Sequence, residues 1–155
     1  TANNCLKKNY PNIRGKLKVF VGVSVGVNKI VGDGVGDGEL TLDNVTIKGR
    51  LVARGGGVNS IVIKGGSVEG KVIVAKVDGN IRISVESGAN VEVVVIDDGS
   101  DDILIEGSIG TLQISAPEVP VTIRNATINT VEVNCDGAAN ITVAQDSKVD
   151  SVVVN

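Results

Sequence analysis

Along this chain short apolar segments return at nearly equal intervals. An apolar-x-apolar triplet recurs as Val19-Phe20-Val21, Leu40-Thr41-Leu42, Ile61-Val62-Ile63, Ile81-Arg82-Ile83, Ile103-Leu104-Ile105, Val121-Thr122-Ile123 and Ile141-Thr142-Val143. The steps between triplet starts are 21, 21, 20, 22, 18 and 20 residues. A second signature follows the last three, as in Ser108-Ile109-Gly110-Thr111-Leu112-Gln113-Ile114 and Thr127-Ile128-Asn129-Thr130-Val131-Glu132-Val133. Alternation with period two makes each triplet a short strand, its outer residues facing one way and its middle residue the other. Self-similarity at this period, with Gly, Asn and Asp at the corners, predicts a β-solenoid. The expected fold is all-β, a right-handed parallel β-helix of about seven coils with ~20 residues per coil, rising ~4.8 Å per coil. Steps that vary from 18 to 22 argue against the regular hexapeptide period of a left-handed helix.

The pattern places the solenoid at residues 17–155. Leu42, Ile63, Ile83, Ile105, Ile123 and Val143 are expected in one inward column. Val19, Val21, Val23, Val25 and Val27 are expected on one side and Phe20 on the other. Outward columns read Thr41, Val62, Arg82, Leu104, Thr122, Thr142 and, on a later strand, Val52, Ile73, Val95, Gln113, Glu132, Val153. The longest coil, from Ile81, carries its extra residues at 84–89, where an insertion bulges from a corner and leaves the stack intact. Residues 1–16 break the pattern: Cys5-Leu6-Lys7-Lys8-Asn9-Tyr10-Pro11 is polar and interrupted by Pro, which reads as an irregular arm or cap.

Composition narrows the function classes. Tyr10 and Phe20 are the only aromatics, so no aromatic platform exists for stacking on sugars or bases. Lys+Arg 15 against Asp+Glu 18 gives −3, which is no footprint for nucleic acid or an anionic membrane. Histidine is absent, which removes Ser-His-Asp and Cys-His catalysis. The chain starts on Thr1 and has no Met, as expected of a processed or excised segment.

The stretch from Gly32 to Ile61 combines a Gly32-Asp33-Gly34-Val35-Gly36-Asp37-Gly38-Glu39 corner with the run Leu40-Thr41-Leu42-Asp43-Asn44-Val45-Thr46-Ile47. It resembles parallel β-helix segments of Gram-positive bacterial surface proteins, and the likeness continues loosely to the end of the chain. The resemblance implies an extracellular or cell-surface location and a role as stalk, adhesin or sugar-binding surface. It brings no catalytic residues.

Three groups of residues are candidates for a site. Asp97, Asp98, Asp101 and Asp102 lie within six residues, and such a carboxylate cluster could hold a hard cation such as Ca²⁺; the alternative is a solvated turn. Val52, Ile73 and Val95, with Val153 farther along the column, make an apolar strip on an outward face, a candidate for self-association. Cys5 and Cys135 fall near opposite ends of the rod, and an intrachain bond needs Cα atoms within about 7 Å. Free thiols or a bridge between subunits in an oxidising exterior are therefore expected ahead of an intrachain bond, although sequence does not fix the pairing. Hydrolysis of a glycosidic bond wants two carboxylates on one groove, and neither outward column supplies such a pair. The expected function is therefore non-catalytic: a self-associating surface stalk or fibre subunit, with a polysaccharide-binding module as the alternative.

Overall fold

Branched aliphatics at alternate positions favour strands, and Gly, Asn and Asp between them let the chain bend at corners. In the computed structural model, which describes residues 18–21, 24–25, 28–35 and 39–155, these tendencies give a parallel β-solenoid. Its first stack runs through β1 (Lys18–Val21), the start of β4 (Leu40–Ile47), the start of β6 (Val62–Ala75), β7 (Ile81–Val85), the starts of β9 (Ile103–Ile114) and β10 (Pro120–Val133), and β11 (Asn140–Val143). A second stack begins at β2 (Ser24–Val25) and a third at β3 (Lys29–Val31) and β5 (Leu51–Ala53). Both then pass through β6, β8 (Asn90–Asp98), β9 and β10 to β12 (Lys148–Val154). Every strand pair is parallel. The first stack has seven strand levels, hence six turns. The described residues contain no α-helix, only a 3-10 turn at Asp33–Val35.

The three stacks enclose one aliphatic core. Leu42, Ile47, Leu51, Ile63, Ile83, Ile105, Leu112 and Ile123 are all essentially inaccessible. The expected inward column fails only at its last member: Val143 is 48% exposed, because the last coil has nothing stacked on its far side.

The register departs from the triplet alignment at two steps. Between coils the partner offsets in the first stack are 22, 21, 22, 22, 18 and 20 residues, against the expected 21 and 20 at the first and third steps. At the first, Lys18 pairs with Leu40, so Phe20 rather than Val21 is in register with Leu42. At the third, Val62 pairs with Ser84 and Ile63 with Val85, so the triplet Ile81-Arg82-Ile83 is two residues ahead of Ile61-Val62-Ile63. The Arg82 N–H donates instead to the carbonyls of Gly57 and Ser60, and Ile81 packs over the Gly56 turn. A slip of two restores the same face to the core, so both alignments bury isoleucines and the hydrophobic pattern cannot distinguish them.

The corner between the first and second stacks needs left-handed backbone. Asn44, Gly65, Gly107 and Asn125 have φ of 51°, 67°, 94° and 47°. Asn tolerates this region and Gly occupies it freely. At Gly107 the restriction is also steric, since a Cβ there would lie 1.8 Å from the Val85 carbonyl oxygen. The expected arm at 1–16 lies outside the described residues.

Candidate functional site

Among the described residues no strand stacks beyond β11 and β12. Val131 and Val133 of β10 are buried, whereas their register partners Val152 and Val154 are 63% and 75% exposed. Val121 and Ile123 are likewise buried beneath the more open Ile141 and Val143. β11 and β12 pair with β10 alone, so each carries an edge of backbone N–H and C=O groups with no strand partner. The coil itself is well anchored. Asp146 accepts from Asn125 N–H at 3.0 Å, Ser147 accepts from Ala126 N–H at 3.2 Å, and Thr130 shares a hydrogen bond with Ser151 at 3.0 Å.

The apolar strip forms as aligned: Val52 pairs with Ile73, Ile73 with Val95, and Val95 with Gln113. Two details change its extent. Ile30, 51% exposed and in register with Val52, extends it at one end. At the other end Val95 is only 8% exposed. Lys71, level with Ile73, donates to Gln113 Oε1 at 3.0 Å, so its aliphatic stem spans the intervening level of Val93 and Val95. Gln113 in turn donates to Glu132 at 2.7 Å. Val153 lies beyond this polar pair and is separate from the strip. Ile30 escaped the sequence pattern because its neighbour Lys29, at 3% exposure, occupies the inward row in register with Leu51.

The first stack also carries a cluster that the outward columns did not contain. Glu106, 7% exposed, stacks on Ser84 and lies between Arg82 and Arg124 on adjacent coils. Arg82 Nε donates to one carboxylate oxygen at 2.6 Å, and Arg124 Nη2 and Nε donate to the other at 2.7 and 3.1 Å. Burial pushes the Glu106 carboxyl up, but the hydrogen bonds and charges of Arg124 and Arg82 outweigh it and hold it below the ordinary range. A carboxylate engaged on both oxygens is a clamp across three coils rather than a free base.

The aspartates of the acidic corner are spent on turns. Asp98 accepts from Gly99 N–H at 2.8 Å, and Asp102 accepts from Thr122 Oγ1 at 2.9 Å. Asp101 accepts from Gly79 N–H at 2.6 Å and from Ser100 Oγ at 3.0 Å, and these bonds lower its pKa. Asp97 is exposed at the end of β8. Among the described residues no three carboxylate, Cys or His side chains converge on a point that could hold a metal. Cys135 is a half-buried free thiol at a corner, its Sγ 3.8 Å from the Gly137 carbonyl, and Cys5 lies outside the described residues. Comparison with known families, with curated proteins and with solved structures gives no match for this chain.

Proposed function

We propose that this chain is a non-catalytic structural subunit of the cell exterior that associates with copies of itself, as a stalk or fibre. The observation that carries the reading is the outward apolar strip of the third stack, in which Ile30, 51% exposed, lies in register with Val52 and Val52 with Ile73. A second copy presents the same strip, so the two can cover each other. Burying about 100 Å² of it would contribute about 2.5 kcal/mol, against the entropic cost of association. The exterior location rests on the resemblance to bacterial surface β-helices.

Sedimentation and negative-stain microscopy test it together. Assemblies that grow with concentration, and that are lost in the I30K/I73K variant while its strand spectrum is unchanged, are the expected result. A wild-type chain that stays monomeric at about millimolar concentration, the weak end of the affinity scale, overturns the reading.

A further inference from the structure

The corners that follow the third stack bring Asp33, Arg54 and the run Lys76-Val77-Asp78, from three successive coils, around one cavity of about 330 Å³. The coils come close here because Gly55 has no side chain: a Cβ would lie 2.1 Å from the Gly32 carbonyl oxygen. The cavity is therefore lined with two cations, two carboxylates and one apolar side chain.

Neither charged group is hydrogen-bonded to a described residue, although each has a carboxylate nearby. Arg54 approaches Asp33 through Nε at only 3.7 Å, with both side chains more than half exposed, so the pair is loose and the guanidinium remains available. Lys76 as a whole residue is 9% exposed, and its ammonium acts on Asp101 through space rather than through a hydrogen bond. The carboxylate whose field it feels, Asp101, is engaged by Gly79 N–H and Ser100 instead. Gly79 leaves room beside the ammonium, since a Cβ there would be 3.2 Å from Nζ. Lys76 buries its stem and brings its ammonium to solvent, so an anion in the cavity meets a second cation beside Arg54.

We infer that this cavity binds a hydroxylated monocarboxylate, the chemistry of a uronic acid residue in an acidic polysaccharide. Arg54 and Lys76 supply donors for the carboxylate. Asp33 and Asp78 accept only, which suits hydroxyl donors and repels the second charge of a phosphate or the many charges of an acidic peptide. Val77, 66% exposed, offers an apolar surface to the C–H face of a sugar ring. The volume is at the small end of ligand cavities and suits one or two rings. The site lies at the corners beyond the third stack, and Arg54→Gln leaves Ile30, Val52 and Ile73 unchanged, so loss of sugar binding and loss of self-association are read in separate variants.

Titration of the full chain with trigalacturonate, neutral galactotriose, inorganic phosphate and a short polyglutamate peptide tests the inference. Trigalacturonate is expected to bind at least about tenfold more tightly than the other three, with amide shifts confined to residues near Arg54, Lys76 and Asp78. Arg54→Gln, at an exposed side chain, and Lys76→Gln should each weaken binding about fivefold or more with the strand spectrum retained. If Lys76→Gln fails to fold, Arg54→Gln alone decides. Absence of binding, equal affinity for the neutral sugar, phosphate or peptide, shifts elsewhere, or indifference to Arg54→Gln would overturn it.

Discussion

Replacing Glu106 by Gln removes one charge from a cluster whose other members are both arginines. The side chain is 10% exposed, against 25% for Arg82 and 50% for Arg124. Hydrogen bonds to a charged group are worth about 1.5–3 kcal/mol each, and breaking a fully buried ion pair costs about 3–5 kcal/mol. Solvent screening around the half-exposed Arg124 discounts both figures. The amide also turns an NH₂ toward a guanidinium, two donors face to face. We expect a loss of about 2–3 kcal/mol at pH 7, a fall in Tm of roughly 4–12 °C for a chain of this size. The pH dependence is the sharper readout. Glu106 in the folded chain titrates below its ordinary value of 4.5, so the unfolded chain binds the proton first. Its contribution is therefore fully present above about pH 5, declines as the pH falls through the ordinary value, and is gone below the folded one. Urea unfolding of wild type and E106Q at steps from pH 7 to 3 should give stabilities that converge on acidification. Hydrogen exchange should locate the loss in coils four to six, at Ile83, Ile105 and Ile123. Parallel pH curves, or a difference under about 0.5 kcal/mol at pH 7, would refute the clamp.

Gly107→Ala combines φ of 94° with a contact 1.8 Å from the Val85 carbonyl, and should destabilise by about 2–4 kcal/mol in the same urea assay. Ile73→Lys changes an outward side chain, so unfolding should move by less than about 1 kcal/mol, while any lateral association through Ile30, Val52 and Ile73 weakens in sedimentation. Millimolar Ca²⁺ should raise Tm by less than about 1 °C, because Asp98, Asp101 and Asp102 are already engaged; a larger rise would show that the corner rearranges around the ion.

Where side chains stack at constant offset, the alignment of repeats was sufficient. The third stack, Val52 on Ile73 on Val95 on Gln113 on Glu132 on Val153, is the column that the sequence aligns. The third step of the first stack was misaligned because period two makes a slip of two invisible to hydrophobicity. Glu106 was missed for another reason: Arg82 does pair with Leu104, as the column has it, and its ion pair runs diagonally to the residue two farther on. The burial of Lys76 had no signal at all. It arises at a corner, where residues from three coils meet without periodicity and a charged side chain is expected in water.

The displaced register has a consequence for shortening or lengthening the molecule. Excising residues 103–120 joins Asp102 to Val121 and leaves every later strand in frame, because Ile103 and Val121 are register partners. An excision drawn at the aliphatic triplets, residues 61–80, would drop the next strand two positions out of frame against β4. The in-frame cut there is 62–83, two residues longer, since Val62 is the partner of Ser84. Coils above the offset are interchangeable parts, and coils below it fit only with an adaptor of two residues.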